Sequence, residues 1–256
     1  MKRIGIMAAL HGEVAGLLAA MGAGAEVRRI GGRDYYSGQL LGSECVIVLA
    51  RVGKVAAAAT AVTLIREFNA GQLVFTGLAG AVADQLRVGD VVVAESLLQH
   101  DMDASPLFPR YEIPLLACSK FAADAGASDL LARCATAYLQ EDFMAHAGPD
   151  LCRRFGFEQP AVHRGMIVSG DRFINDASGV ASLRAELPDA LCVEMEGAAV
   201  AQICHEYEVP FAVVRTISDR ADDSASLDFS AFLDQVASVY SAGILRRYLE
   251  ASAVIA

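Results

Sequence analysis

The strongest constraint on this chain is a series of short, unbroken apolar runs set between longer Ala- and Leu-rich stretches. The runs fall at residues 4–8, 46–50, 73–76, 91–94, 166–168, 191–193 and 211–217. They lack the polar alternation of a strand with one wet face, so they read as strands buried on both sides. Helix-like segments lie between them at residues 55–68, 128–139, 179–187, 197–207 and 227–249. The last of these sets Phe229, Phe232, Leu233, Val236, Val239 and Tyr240 on one face. Pro188 and Pro210 mark helix-to-strand joints. Residues 33–41, with Tyr35 and Tyr36 between Gly32 and Gly42, read instead as a hairpin arm antiparallel to residues 45–49. The expected architecture is α/β: three α/β/α layers around a mixed central sheet, in a single domain over residues 1–256.

Composition narrows the function. With 21 basic and 31 acidic residues the net charge is −10, the wrong sign for a nucleic-acid partner, which needs a basic stripe. The six cysteines form no C-x-x-C pair and sit mostly in apolar runs, as reduced thiols of a cytoplasmic protein would. The apolar run after Lys2 and Arg3 stops at His11, too soon for a secretory leader, and no stretch has the roughly 20 apolar residues of a membrane span. The five histidines form no close cluster and no zinc-type spacing occurs, so no metal is expected. The least regular part is residues 99–120, with Pro106, Pro109 and Pro114; it reads as a long surface loop.

In α/β sheets ligands bind beyond the carboxyl ends of the strands. Here three of those ends carry carboxylates: Glu13 after the first run, Glu194 and Glu196 after the Leu191 run, and Asp219 after the Phe211 run. Glu194 and Glu196 flank Met195, and on a continuing strand they would share a face. Two like charges beside a buried strand are costly unless they are paired or functional. Gly77-Leu78-Ala79-Gly80 reads as a tight glycine turn that lets a ligand approach the backbone at Ala79 and Gly80. No phosphate-loop, H-E-x-x-H or G-x-S-x-G pattern is present.

Taken in order, these segments resemble the 5′-methylthioadenosine/S-adenosylhomocysteine nucleosidases of the purine nucleoside phosphorylase superfamily. The matching stretches are Ile4-Gly5-Ile6, Gly12-Glu13-Val14, Val52-Gly53-Lys54-Val55, Thr76-Gly77, Ala79-Gly80 and Val88-Gly89-Asp90. Val168-Ser169-Gly170-Asp171, Phe173-Ile174, Val193-Glu194-Met195-Glu196 and Ile217-Ser218-Asp219 complete them. The resemblance implies a nucleoside phosphorylase-like fold and cleavage of an N-glycosidic bond by water, with no cofactor. It implies that Glu13 activates the water, that Asp219 with Ser218 beside it protonates or hydrogen-bonds adenine N7, and that Glu196 holds the ribose hydroxyls. Met195 would pack under the sugar, Phe173 would stack on adenine and Ile174 would read its edge through the backbone. Arg215 would lie near the water and Glu196, and Phe229 in the pocket for the 5′-alkylthio group. Val52, Ala79, Gly80 and Glu194 complete the expected binding set. The family forms homodimers in which a partner loop closes the 5′ pocket; here that loop would run from Met102 to Pro109.

Two departures from the family pattern stand out. Leu78 occupies a place where relatives often carry a Ser able to hydrogen-bond the water or a ribose hydroxyl. The loop Ser105-Pro106-Leu107-Phe108-Pro109 is richer in Pro than usual. Three other readings compete with hydrolysis of the two thioethers. A phosphorylase would need arginines for a phosphate dianion, for which Arg51 and Arg215 are the candidates. A hydrolase could take 6-amino-6-deoxyfutalosine or another adenosyl compound. A binding protein without catalysis would not need Glu13.

Overall fold

The structure, a computed structural model, describes residues 2–157, 159–220 and 225–255. The first half of the chain forms β1 (Arg3–Ala8), α1 (Ala15–Met21), β2 (Glu26–Ile30), β3 (Arg33–Leu40), β4 (Ser43–Leu49), α2 (Lys54–Phe68), β5 (Ala70–Ala81) and β6 (Val91–Gln99). After the irregular stretch come β7 (Lys120–Ala122), α3 (Ala125–Glu141), α4 (Phe143–Phe155), β8 (Val162–Ser169), α5 (Ala177–Glu186) and β9 (Ala190–Glu194). The chain finishes with α6 (Gly197–Glu206), β10 (Phe211–Asp219), α7 (Ala225–Phe232) and α8 (Ser238–Ile255).

The sheet is mixed, as the sequence implies, and runs in the order β10-β6-β8-β9-β5-β1-β4-β3-β2, with β7 on β6. It also closes on itself. β10 pairs in parallel with β5 and antiparallel with β6, while β9 joins β8 to β5. With β8 parallel to β6, five strands form a ring, and the carboxyl ends of β5, β9 and β10 meet.

The continuous apolar runs are explained by helices on both faces. Ile4, Ile6 and Ala8 point to one side with Ile47 and Val74, against α1, α3 and α8. Met7, Val46, Val48, Leu73 and Phe75 point to the other, against Ala57, Ala61 and Leu64 of α2 and Val200 and Ala201 of α6. This is the period-2 alternation of a strand whose two faces are both dry. Gly5 lets α2 come close, since a Cβ there would lie 2.5 Å from Leu73 Cδ2 and 3.1 Å from Leu64 Cδ1.

Several elements depart from the expectation. Gly77-Leu78-Ala79-Gly80 is not a turn: it is strand, with Gly77, Leu78 and Ala79 registered on Arg215, Thr216 and Ile217, and Gly80 on Val193. The two glycines are strand residues whose missing side chains leave room on the face of the sheet. β2 was silent in the sequence because it is a largely exposed strand of Glu, Val, Arg, Arg and Ile, paired with β3 only. α4 was hidden by Gly148, at φ 75°, and Pro149, which kink it. The long final helix is divided by a π-turn at Leu233–Ala237. Its apolar face nevertheless holds, with Phe232, Val236 and Tyr240 fully buried.

Leu64 sits wholly buried between α2 and the sheet. Leu64→Ala is expected to lower unfolding free energy by about 2–5 kcal/mol, read as a shift in the urea midpoint.

Candidate active site

Where the carboxyl ends of β5, β9 and β10 meet lies a cavity of ≈ 180 Å³. Its walls are mostly apolar, with Leu10, Val52, Leu78, Ala79, Ile174 and Phe229 among them, and they are broken by Glu13, Glu194, Glu196 and Asp219. Gly80, Phe173 and Met195 also line it. Of the residues singled out from the sequence, Arg215 and Ser218 alone lie behind the wall rather than on it. Ala9, Leu10, Arg172 and Val193 line the cavity without having been singled out. Arg172 had a positional signal, between Asp171 and Phe173, but no chemical one.

Glu13 ends a short 3₁₀ turn, His11–Glu13, that leaves β1. It is 3% exposed. Its Oε2 accepts the Leu10 N–H at 2.8 Å and its Oε1 the Leu78 N–H at 3.1 Å. Leu78 thus contributes through its backbone, whatever its side chain lacks. Burial raises the pKa of Glu13, while the Leu10 and Leu78 N–H groups and the Arg215 charge oppose the rise. Gly77 makes the place for this carboxylate, because a Cβ there would lie 2.8 Å from Glu13 Oε1 and 3.2 Å from Arg215 Nη1.

Glu194 and Glu196 do not share a strand face. β9 stops at Glu194, and Glu196 sits at the start of α6. Glu194 is fully engaged in holding the site together. Its Oε2 takes Arg215 Nη2 at 2.6 Å, the Gly197 N–H reaches both oxygens at 2.8–2.9 Å, and Ser169 Oγ donates to Oε1. Arg215 is 1% exposed; its guanidinium lies 4.1 Å from the Phe75 ring centroid and donates to the Phe75 and Val214 carbonyls. Burial works against the Arg215 charge, but Glu194, with Glu196 and Glu13 behind it, more than restores it.

Glu196 keeps one oxygen free for a ligand. Its Oε1 accepts the Gly53 N–H at 2.8 Å. Gly53 has φ 97°, a conformation open to glycine, which turns that N–H toward the carboxylate. Burial and the Glu194 charge push the pKa of Glu196 up to about 8. Asp219 is 2% exposed, with Ser218 Oγ donating to its Oδ2 at 2.7 Å. Across the cavity Phe173 meets Phe229 edge to face, with ring centroids 5.9 Å apart. Among the described residues no three His, Cys, Asp or Glu side chains are grouped to hold a metal ion.

The geometry has counterparts among known proteins. The phosphorylase superfamily profile matches residues 3–250. A 5′-methylthioadenosine/S-adenosylhomocysteine nucleosidase of Shewanella denitrificans is 34% identical over 231 residues, which is 90% of this chain and 92% of the relative. The crystal structure of the Neisseria meningitidis enzyme of that name, in complex with methylthio-immucillin-A, superposes with a TM-score of 0.83 at 33% identity, covering 98% of this chain and all of the other. A futalosine hydrolase of Helicobacter pylori superposes with a TM-score of 0.82 at 29% identity, covering 98% of each chain.

The raised pKa of Glu196 makes its proton a stability matter. The folded chain keeps that proton up to about pH 8, whereas the unfolded chain releases it near the ordinary carboxylate value of 4.5. Stability from this group therefore falls as pH rises between those two values. Glu196→Gln, fixed in the neutral form, is expected to raise the melting temperature of the ligand-free protein, by more at pH ~8.5 than at pH ~4 (test conditions on the order of half a unit beyond each end of the window), in scanning calorimetry. With its carboxylate-lined cavity, its fold and these relatives, the chain belongs to the 5′-methylthioadenosine/S-adenosylhomocysteine nucleosidase family of the phosphorylase superfamily.

Proposed function

We propose that this protein hydrolyses the N-glycosidic bond of 5′-methylthioadenosine and S-adenosylhomocysteine, releasing adenine and the 5′-thioribose. The observation that carries the reading is the set of three buried carboxylates, Glu13, Glu196 and Asp219, lining one mostly apolar cavity. Breaking the bond leaves positive charge on the sugar, and carboxylates in a dry site stabilise it strongly. Glu13 takes a proton from water as the water oxygen bonds to C1′; the electrons of the C1′–N9 bond leave with the purine, which gains a proton at N7 from Asp219. Burial strengthens Glu13 as a base, while the Leu10 and Leu78 N–H groups sustain its ionised form. The free oxygen of Glu196 faces the sugar hydroxyls, Met195 packs beneath the ring, and Phe173 and Ile174 receive the adenine.

Water is favoured over phosphate because the cation nearest the sugar is already used. Arg215 is buried and bound to Glu194, and Arg51 is not among the residues lining the cavity. Arg172 lies on the adenine side beside Phe173 and pairs with Asp176 at 3.1 Å. A second substrate reading, cleavage of an aminodeoxyfutalosine, draws support from the Helicobacter pylori neighbour named futalosine hydrolase.

The working form we propose is a cytoplasmic homodimer in which the loop from Met102 to Pro109 closes the partner's 5′ pocket. No residue of that loop lines the cavity of its own chain. Leu107, Leu115 and Val55 are 85%, 92% and 82% exposed, apolar side chains that a second copy would cover. No helix among the described residues is long and apolar enough to cross a membrane.

Purified protein given methylthioadenosine, adenosylhomocysteine and aminodeoxyfutalosine should release adenine at a rate independent of added phosphate. Glu13→Gln and Asp219→Asn should each lower kcat by about 10²–10⁴-fold with the fold intact by circular dichroism. A sugar 1-phosphate product would instead establish a phosphorylase. Leu107→Glu should shift the protein from dimer to monomer in light scattering.

A further inference from the structure

Behind the cavity wall, the loop that supplies Gly53 is held by a closed ring of polar contacts. Lys54 donates its backbone N–H to Asp171 Oδ1 at 2.8 Å and its ammonium to Asp101 Oδ1 at 2.6 Å. The other oxygen of Asp101 accepts the Asp171 backbone N–H at 2.9 Å. Each member follows a different strand: Lys54 follows β4, Asp101 follows β6 and Asp171 follows β8. The ring thus joins three loops that the sheet alone does not fix relative to one another.

The packing leaves little slack. A Cβ on Gly53 would meet Asp171 Oδ1 at 3.2 Å, and one on Gly170 would collide with the His100 ring. An isolated exposed ion pair is worth little. This one differs because two of its three bonds involve backbone N–H groups, so its geometry is transmitted to the chain itself. On one side of the ring the neighbouring Gly53 N–H meets Glu196 Oε1 at 2.8 Å. On the other, Phe173 and Ile174 follow Asp171 directly onto the cavity wall.

We propose that Asp101 is a positioning residue: through Lys54 and Asp171 it fixes the Gly53 N–H against Glu196 and ties that carboxylate to the loop bearing Phe173 and Ile174. Asp101 acts through other residues, since it does not itself line the cavity. The catalytic consequence rests on the nucleosidase reading above; the geometric one does not. Glu196 is faced by Glu194 and Glu13, which raise its pKa, and by Arg215 and the Gly53 N–H, which lower it. Loosening Gly53 removes one of the two groups that favour the ionised form.

The test compares wild type with Asp101→Ala and Lys54→Met, and uses Lys54→Arg as the variant that retains charge and donors. Exchange of the Gly53 amide proton, followed by NMR without ligand, should be about tenfold faster in the first two and near wild type in Lys54→Arg. With methylthioadenosine, kcat/KM should fall about 10- to 100-fold in the first two, and the acid limb of its pH profile should move to higher pH. A merely stabilising contact would lower the melting temperature without moving that limb or the Gly53 exchange. Unchanged Gly53 exchange in folded Asp101→Ala and Lys54→Met would overturn the proposal. Should the wild-type protein release no adenine, the nucleosidase reading fails, and the Gly53 exchange alone decides this one.

Discussion

The site depends on one buried ion pair. Arg215 and Glu194 meet at 2.6 Å with side chains 1% and 3% exposed. Burying either charge alone would be prohibitive, and together they are tolerable because most of the remaining polar atoms find partners, Arg215 Nε being the exception. Glu194 finds them in Gly197, Glu196 and Ser169, which fastens the start of α6 to the end of β8. Arg215 finds them in backbone carbonyls and the face of Phe75. The pair therefore does two things at once. It joins β10, β9 and α6, and it places a positive charge behind a wall of carboxylates that would otherwise repel one another.

That arrangement divides the acidic residues by task. Glu194 is committed to structure, with both oxygens occupied. Glu13 is shared between backbone donors and the cavity. Glu196 holds a single backbone bond and faces the cavity. The three glutamates differ because the donors around each are different. The gradient from committed to free follows from where each strand stops.

Much of this was legible in the sequence, for identifiable reasons. Continuous apolar runs such as residues 211–217 admit little except a strand covered on both faces, and β10 is buried along its whole length. The carboxylates at the strand ends stood out because Glu13, Glu194, Glu196 and Asp219 are charges attached to apolar runs. What was not legible depends on pairing across the chain. The double pairing of β10, to β5 and to β6, leaves no local pattern, and so the ring was not foreseen. Gly77 and Gly80 look like a turn locally, and at Gly77 only the neighbouring Glu13 and Arg215 explain glycine within a strand. The contrast between Glu194 and Glu196 was likewise hidden, because it is decided by Arg215, Ser169 and Gly53, far away in sequence.

Ring closure has a consequence for how this protein behaves among its own copies. A strand with an unpaired side is a template for aggregation, and closing strands on one another removes such sides. Here β10 and β9, each of which would otherwise end a layer, are paired on both flanks. The long open flank that remains is β2, and it carries Glu26, Arg28 and Arg29 in its five residues. Arg28 and Arg29 also reach Glu67 and Asp34, at 3.5 and 3.6 Å. Charge guards this margin, which hydrogen bonding leaves open at one end of the ten-stranded sheet.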